Sequence, residues 1–368
     1  MKRSYRNKLF FVIRTFIDPL FKKRDDRVVF FCSTGSIDPN IQCIANYLSC
    51  FYPEKNIKIM VGKTKYDIRS YLSNIHALFT SYFVIVDHAI PRFITGKKRK
   101  IFNVWHGIPL KTIRHLDEKR FTSEFLDFES KNISGLVCSS ELDRAVMAAC
   151  FNVPPSKCIL SGLPRADILA AGELGWFNDP QEQELIMSLH GKKLVAWMPT
   201  YRGSWHERNL VKGFTEQDEL RLCEILKKNN AVFGIRPHKF SRLQSFPLLE
   251  KEGLLVDLSR YSVANTILKH TKHLITDYSS VWLDFSLISN SISLYLFDYQ
   301  DYDIERGMIY PLDEVFPGRI SYQSEHLLAD IEDKLCSKAV SFTPSKLFFK
   351  YNDNQNTKRF VQAMFNEE

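Results

Sequence analysis

Short apolar stretches of strand length alternate with helix-like stretches along the first half of the chain. The apolar stretches end in small or polar residues, and apolar residues recur at helical spacing in 39–50 and 141–151. Continuous apolar strands with helices between them are typical of a parallel sheet covered on both faces. The predicted strands are VVFFCST (28–34), IKIMVG (57–62), YFVIVDH (82–88), IFNVWHG (101–107) and GLVCSS (135–140).

A polar stretch at 171–192 separates this series from a second one and therefore predicts a domain boundary. In the second series, helices are expected at 215–229 and 280–288. Its predicted strands are KLVAWMPT (193–200), AVFGIRPH (231–238), LLVDLS (254–259), HLIT (273–276) and SISLYLF (291–297).

Together the two series predict an α/β protein with two doubly wound Rossmann-like domains that face a cleft. The first domain would span 25–175 and the second 176–345. The remaining segment, 346–368, is expected to carry a helix that packs back on the first domain.

The N-terminal segment, residues 1–24, has an amphipathic pattern with basic flanks. Such a segment suits a helix that lies in a membrane interface, and it equally suits a helix docked on the protein's own core. Because Arg14 ends the first apolar run after five residues, the sequence predicts neither a transmembrane helix nor a signal peptide, and we expect a cytoplasmic protein. The apolar stripe consists of Leu9, Ile13, Phe16, Ile17 and Leu20.

Composition narrows the possible partners. The chain of 368 residues carries a net charge of +8, which suits an anionic partner such as a phosphorylated substrate or an anionic membrane. The basic run KKRK at 97–100 is expected to form a solvated turn, with contact to lipid head groups as the alternative. Eight cysteines form no CxxC pair and no zinc-ligand spacing, so we expect buried free thiols in a reducing compartment.

Several classes of function lack their motifs. The sequence contains no GxxxxGK[ST] motif of P-loop ATPases, no GxGxxG after the first strand and no GxSxG of hydrolases. Basic residues are not interleaved with aromatics as in RNA-binding motifs, so no nucleic-acid partner is expected. No carboxylate cluster is evident, and we therefore predict no essential metal ion.

Reactive groups follow several of the predicted strands. His106 ends IFNVW and precedes a Gly-Ile-Pro turn, which suits an exposed general base that titrates near neutrality. His238 follows another strand between Arg236 and Lys239, where it is placed to contact a phosphate oxygen. Each histidine also has an ordinary structural interpretation, as a ring that braces its own loop.

The stretch ITDYSSVWLDF is the most informative. Asp277 ends a strand, and Ser279 and Ser280 open a helix whose free backbone N–H groups favour an anion. The structural alternative is that Asp277 or Ser279 only caps that helix. Weaker candidates in predicted loops are Lys111, Arg165, Asp167, Arg202 and Arg306.

Six segments in fixed order resemble the CDP-glycerol:poly(glycerophosphate) glycerophosphotransferases, the teichoic-acid primases and polymerases with relatives in capsule synthesis. The resemblance covers roughly residues 100–310, and the chain's short N-terminal part is more similar to the primase-like members. The segments are NVWHGIPLK, SGLPRADIL, MPTYR, RPH, ITDYSSVWLDF and LFDYQDY…ERG.

The resemblance implies a GT-B-like fold whose C-terminal domain holds CDP-glycerol or CDP-ribitol. It implies catalytic roles for His106 and His238, and donor phosphate binding by Asp277, Ser279 and Ser280, with Arg236 and Arg202 nearby. Lys111, Arg165, Asp167 and Arg306 would support them.

The expected reaction moves a polyol phosphate to a hydroxyl of a lipid-linked or polymeric glycan acceptor at the inner face of the membrane, and CMP leaves. Two other classes stay open: a GT-B glycosyltransferase that uses a nucleotide sugar, and a non-catalytic lipid- or nucleic-acid-binding module.

Overall fold

Each half of the chain forms a six-stranded parallel sheet. The computed structural model describes residues 3–62, 64, 66–117, 120–170, 172, 174–200, 210–211, 213–237, 242–299, 307–337 and 343–366. In the first sheet the spatial order is β2-β1-β3-β4-β5-β6. Its strands are β1 (Arg24–Cys32), β2 (Asn56–Val61), β3 (Ser81–Val86), β4 (Lys100–Asn103), β5 (Gly135–Cys138) and β6 (Cys158–Leu160).

The second half contains β7 (Lys193–Met198), β8 (Leu210–Val211), β9 (Ala231–Ile235), β10 (Arg242–Leu243), β11 (Leu255–Asp257), β12 (Thr271–Thr276), β13 (Ile292–Tyr295) and β14 (Arg319–Ser321). The second sheet has the order β11-β9-β7-β12-β13-β14, and the short strands β8 and β10 pair with each other. The strand order reverses between β1 and β3 in the first sheet and between β7 and β12 in the second. Ligands of such sheets bind beyond the carboxyl ends of the strands at these reversal points. The predicted fold of two doubly wound α/β sheets is therefore confirmed.

Helices cover both faces of the sheets. They are α1 (Arg3–Val12), α2 (Pro39–Phe51), α3 (Ile68–Thr80), α4 (Ser123–Asn132), α5 (Glu141–Phe151), α6 (Glu182–Ser188), α7 (Glu216–Lys228), α8 (Pro247–Lys251), α9 (Ala264–Lys269), α10 (Val281–Phe285), α11 (Leu312–Val315), α12 (Ser324–Cys336) and α13 (Asn356–Phe365). A π-helical turn, Ile13–Ile17, and 3₁₀ turns at Asp18–Leu20, Arg114–Leu116, Pro155–Lys157, Pro164–Leu169 and Leu258–Arg260 complete the elements.

Side-chain caps fix where several helices begin. Asp38 accepts a hydrogen bond from the backbone N–H of Asn40 at 2.8 Å, directly before Pro39 starts α2. Thr215 and Asp218 form a reciprocal capping box at the start of α7. Such caps satisfy backbone donors that have no partner within the helix, so they place the helix start at a defined residue.

One buried apolar cluster runs through both domains. It contains Phe30 and Ile85 of the first sheet together with Leu274 and Leu294 of the second. The last helix, α13, joins this cluster through Phe360, whose ring lies edge-on to Phe102 of β4 at 5.8 Å. The C-terminal helix therefore packs on the first domain.

The cysteines are free thiols throughout. Cys50 and Cys336 are exposed, contrary to the prediction of buried thiols, because each lies in the last turn of a helix at the surface. The other six are buried.

The N-terminal segment differs from an ideal amphipathic helix. The α-helix changes to a π-helical turn at Ile13, which rotates the side chains that follow. Of the predicted stripe, Ile13 packs on the core, whereas Leu9, Phe16, Ile17 and Leu20 are exposed. Phe10, outside that stripe, lies 6.0 Å from Phe93. The single stripe drawn from the sequence is therefore wrong in detail.

The expected solvated turn at 97–100 is also wrong in part. Arg99 is buried, donates to the carbonyl oxygen of Leu78 and pairs with the buried carboxylate of Asp18. Lys23 pairs with the same carboxylate at 2.7 Å. A buried charge needs a partner, and these contacts fix the N-terminal segment on the first domain.

Candidate active site between the two domains

The loop after β4 turns sharply and presents His106 to solvent. Trp105 adopts a left-handed conformation with φ 43°, and its indole is buried. Its backbone N–H donates to Asn103 Oδ1 at 2.8 Å, and its carbonyl oxygen accepts from Asn40 Nδ2 at 3.0 Å. These contacts hold the backbone while the next side chain, His106, is exposed.

The imidazole of His106 lies in a recess. Its side chain is exposed, and the rings of Trp105 and His88 lie 4.3 and 4.9 Å from its own. The loss of surrounding water lowers the pKa of His106 well below its usual value, and the neighbouring His88 and Arg165 act in the same direction. A neutral imidazole can accept a proton, so His106 has the protonation state that a general base needs.

Gly107 brings this loop into contact with the second domain. A β carbon at this residue would stand 2.7 Å from Arg165 Nη2 and 3.0 Å from Ser280 Oγ. The backbone of Gly107 also has φ +143°, which side-chain-bearing residues rarely adopt. The loop of His106 and the turn of Ser279 and Ser280 therefore meet across the domain boundary.

Arg165 ties the same two pieces together. Its buried guanidinium donates to the carbonyl oxygen of His106 and pairs with the carboxylate of Asp284 at 2.8 Å. Asp284 lies in α10, directly after the serine turn. Through Nη1 and Nη2, Arg165 therefore joins the loop of His106 to α10, and its supporting role in the site stays a prediction.

Asp277 braces the reversal point of the second sheet. Its buried carboxylate accepts from the backbone N–H of Thr200 at 2.8 and 3.0 Å and from the Thr200 hydroxyl at 2.5 Å. Thr200 follows β7, whereas Asp277 follows β12. These hydrogen bonds therefore join the ends of the two strands, and the contact of Asp277 with a donor phosphate stays a prediction from the sequence.

The serine turn itself is partly exposed. Ser279 Oγ accepts from the backbone N–H of Val281 at 3.4 Å. The helix that follows, α10, has five residues and is shorter than the predicted 280–288, so its dipole adds little. Any phosphate contact here would come from the hydroxyls of Ser279 and Ser280.

Two other predicted residues hold loops. Arg236 follows β9, and its Nη2 donates to the carbonyl oxygens of Tyr261 at 3.3 Å and Ser262 at 3.1 Å, while burial lowers its pKa. Asp167 accepts from the backbone N–H groups of Asn356 at 2.9 Å and Thr357 at 2.8 Å, so it caps α13. Asp167 therefore belongs to the fold, and burial raises its pKa to about 6.

Lys111 lies in a second contact between the domains, where residues 110–112 pair with residues 307–309. It forms an antiparallel bridge with Met308. The N–H of Thr112 donates to the carbonyl oxygen of Gly307 at 3.2 Å, on one side of that bridge. The remaining predicted residues, His238, Arg202 and Arg306, lie outside the described residues.

Sequence reasoning missed two groups at the carboxyl end of β3. Asp87 is buried and accepts from the N–H and hydroxyl of Ser33 at 2.9 and 3.1 Å, and burial raises its pKa. His88 stacks on Trp105 at 4.6 Å and lies 4.9 Å from the ring of His106. The signal was present, because YFVIVDH ends in polar residues just as IFNVWHG does.

A buried ion pair contacts the residues that carry the rings of His88 and Trp105. Arg114 lies 2.9 Å from the carboxylate of Glu129 and donates from Nη2 to the carbonyl oxygen of His88 at 2.7 Å. Its guanidinium also stands over Trp105 at 5.0 Å. Within the described ranges, no three His, Cys, Asp or Glu side chains form a group that could hold a metal ion.

Comparison with known proteins shows the family to which this chain belongs. A family model described as CDP-Glycerol:Poly(glycerophosphate) glycerophosphotransferase matches residues 13–366. The chain belongs to this family. Glycerophosphotransferase membership confirms the resemblance seen in the six sequence segments.

Curated proteins similar to this chain include teichoic-acid enzymes. Teichoic acid ribitol-phosphate polymerase TarL of Staphylococcus aureus is 27% identical over 290 residues, which cover 77% of this chain and 51% of TarL. A teichoic acid glycerol-phosphate primase of Bacillus subtilis is 24% identical over 308 residues, covering 79% of this chain and 76% of the primase. The chain thus spans about half the length of TarL.

A solved structure has the same fold as this chain. The wall teichoic acid polymerase TagF superposes with a TM-score of 0.73 at 19% identity, over 98% of this chain and 92% of that chain. The likeness confirms the GT-B-like arrangement of the two parallel sheets.

Proposed function

We propose that this protein transfers glycerol phosphate or ribitol phosphate from a CDP-activated donor to a hydroxyl of a glycan or polymer acceptor. The acceptor oxygen forms a new bond to the phosphorus that bears the polyol. The bond between that phosphorus and the CMP oxygen breaks, and CMP leaves with the electron pair. The acceptor proton goes to the base. The product would be a cell-surface polymer of the teichoic-acid or capsule type.

The contact between Gly107 and Ser280 carries this proposal. It joins a loop with a neutral, exposed imidazole to a turn with two partly exposed hydroxyls, each beyond the carboxyl end of a parallel strand. Phosphoryl transfer needs a base at the attacking hydroxyl and donors around the phosphates, and these lie on opposite sides of this contact.

His106 would serve as the base on the acceptor side. Ser279 and Ser280 would donate to the phosphates on the donor side. His238 and Arg202, proposed from the sequence, and Arg236 would add positive charge there. Arg165 and Asp277 would hold the two loops in place, with Asp277 beside the donor phosphates as the sequence predicts.

Donor screening tests the reaction. Purified protein with membrane extract as acceptor is incubated in turn with CDP-glycerol, CDP-ribitol, UDP-sugars and GDP-sugars, and the released nucleotide is measured. We expect CMP from one or both CDP-polyols, and loss of that release in His106→Ala. Release of UDP or GDP alone would identify a glycosyltransferase. Lipid binding without turnover would identify a binding module.

We also infer that the protein docks on the inner face of the cell membrane. The N-terminal segment exposes several apolar side chains, although they do not form a single stripe. Leu9 is 48%, Phe11 52%, Phe16 63% and Leu20 80% exposed. The exposed Lys98 donates to the carbonyl oxygen of Pro19 at 3.4 Å, so basic charge lies beside Leu20. Apolar side chains beside basic ones favour an anionic membrane surface. None of the helices in the described residues is both long enough and apolar enough to span a membrane.

Point substitutions test this docking. Removing residues 1–24 would also remove Asp18, the partner of the buried Arg99, so exposed side chains are the better choice. Phe11→Ser, Phe16→Ser and Leu20→Ser together should abolish sedimentation with anionic vesicles. The control carries Met187→Ser, Leu220→Ser and Leu347→Ser, which are similarly exposed in other parts of the chain. Equal loss in both variants would contradict docking through the N-terminal segment.

A further inference from the structure

A basic cavity opens on the first domain away from the cleft. It has a volume of about 160 Å³ and lies between the starts of β1 and β2 and the last turns of α3. Its polar lining consists of Arg27, Asn56, Lys58, Ser73 and His76, with no carboxylate. Arg27 and Asn56 pair at the amino ends of their strands, whereas His106 follows the carboxyl end of β4.

The cations of this cavity keep donors for a ligand. Arg27 Nη1 donates to Thr80 Oγ1, and Lys58 Nζ donates to Ser73 Oγ at 2.7 Å. A guanidinium has five N–H donors and an ammonium three, so these contacts orient the groups without exhausting them. In the part of the chain that the structure describes, neither side chain forms an ion pair. Two oriented cations and a hydroxyl suit a phosphate.

Exposed apolar side chains lie on α3, which lines the cavity, and on the N-terminal segment, which contacts the lining residue His76. Phe21 packs on His76 at 6.4 Å and on Phe79 at 5.0 Å, and the preceding Leu20 is 80% exposed. On α3 itself, Ile68 is 70%, Tyr71 52% and Leu72 60% exposed.

These two groups of side chains belong to one surface. Phe21 of the N-terminal segment and Ile75 of α3 both pack on the apolar cluster that contains Val29 and Met60. The N-terminal segment and α3 therefore lie on the same face of the first sheet, and α3 also lines the cavity.

We propose that this cavity binds the phosphate of an anionic membrane phospholipid while the exposed apolar side chains of α3 and the N-terminal segment enter the interface. Apolar burial and charge attraction act together at membrane surfaces, and a cavity with fixed donors adds selection for a phosphate over a general negative surface. The proposal rests on the proposed membrane docking for its orientation, but phosphate binding by the cavity can be measured without a membrane.

The experiment compares two double variants of the full chain. Arg27→Gln with Lys58→Gln removes two charges from the cavity. Lys251→Gln with Lys346→Gln removes two charges from exposed sites in other parts of the chain. Binding of monomeric dihexanoyl phosphatidylglycerol is measured by calorimetry, and binding to vesicles of phosphatidylglycerol with phosphatidylcholine by sedimentation. Thermal melting shows that each variant is folded.

We expect the cavity variant to bind both probes about tenfold or more weakly. The control should change by less than about twofold, because charges beyond a Debye length from the ligand are screened. Lys58→Arg, which keeps the charge, should bind like the unmodified protein. The cavity variant should still release CMP in detergent, whereas failure of the proposed transferase function would appear as absent CMP release in every variant.

Three results would overturn the proposal. Equal losses in the two double variants would show a general effect of charge. Binding of inorganic phosphate or glycerol phosphate as tight as that of the lipid, with unchanged vesicle binding in the cavity variant, would make a free phosphate the ligand. Full binding of the short-chain lipid by the cavity variant would place the lipid elsewhere.

Discussion

Gly107 and Ser280 touch across the domain boundary, so the space for a side chain at Gly107 is already filled. A β carbon there would stand 3.0 Å from Ser280 Oγ, and the residue holds φ +143°. The base loop and the serine turn can approach each other this closely only because the residue after His106 has no side chain.

Gly107→Ala should consequently lower kcat by about tenfold or more while the protein stays folded, since a shift of about 1 Å at a reacting centre is costly. The matched control is Gly191→Ala, which also has positive φ, +71°, but open space around its β position. The control should lose about 1 kcal/mol of stability and keep its kcat. CMP release and thermal melting measure both. Equal kcat values would contradict the close contact.

His106 should act as a base over an unusually wide acidic range. His106→Ala should lower kcat by about 10²–10⁴-fold. Because its pKa is well below the usual value, the imidazole stays neutral as the pH falls, and activity is lost only when the pH passes through that lowered pKa. The acidic limb of kcat/KM should therefore fall below pH about 6.5. A limb centred above that value would argue against His106.

The buried ion pair of Arg165 and Asp284 should stabilise the folded protein as a coupled unit. Arg165→Met leaves the buried carboxylate of Asp284 without its cation and should cost about 3–5 kcal/mol in the free energy of unfolding. Arg165→Met combined with Asp284→Leu should cost clearly less than the sum of the single losses, as denaturant unfolding would show. Strict additivity would mean that the pair is not coupled.

Substitutions of Ser280 and Asp277 should have different effects, the first mainly on donor affinity and the second mainly on stability. Ser280→Ala should weaken CDP-glycerol binding by up to about tenfold with little change in melting temperature, because a partly exposed hydroxyl is removed. Asp277→Ala should lower stability by about 1–3 kcal/mol, because the buried N–H of Thr200 loses its acceptor. Calorimetry and melting distinguish them, and a reversed pattern would exchange the two roles.

His273 should make the second domain acid-sensitive. Its ring bonds Ser291 Oγ at 3.0 Å and Ser293 Oγ at 3.1 Å, and burial, with Lys334 acting in the same direction, lowers its pKa to about 3. Below pH about 6.5 the imidazole of His273 binds a proton in the unfolded chain but stays neutral in the folded protein. The free energy of unfolding therefore falls with pH down to about 3.

The measurement is a difference between two proteins. His273→Gln removes this titration, so the stability advantage of the unmodified protein should be full at pH 7 and shrink by up to about 1.4 kcal/mol per pH unit below about 6.5. Parallel stability curves would show that His273 does not titrate differently in the folded state. Taking the difference cancels the buried carboxyls whose pKa is raised, such as Asp143 at about 6, which act with opposite sign.

Local patterns predicted much of the fold. The apolar runs gave five of the six strands of each sheet to within a few residues, missing the short edge strands β6 and β14, and α5 begins and ends at the expected 141–151. The order of the strands depends on contacts far apart in sequence, so no local pattern contains it. The helix Ser123–Asn132 was missed because its sequence is polar, whereas Ile68–Thr80 was overlooked although Ile68, Tyr71, Leu72, Ile75 and Leu78 recur at helical spacing.

The site was predictable where a residue's role follows from its own strand. His106 could be proposed as a base because it ends an apolar run and precedes Gly107. The capping of α13 by Asp167 and the bond between Asp277 and Thr200 could not be found, because each joins elements more than 70 residues apart. The same holds for the contact of Gly107 with Ser280, which exists only after the two domains have packed.

The return of α13 to the first domain gives the molecule two covalent crossings between its halves. The chain crosses once near residue 175, before β7, and once between α12 and α13. A single crossing would leave one half free to swivel in any direction, whereas two crossings restrict relative motion to a bend about the line that joins them. We therefore expect the two domains to open and close by a single hinge motion, which brings the loops of Gly107 and Ser280 back to the same relative position at every turnover.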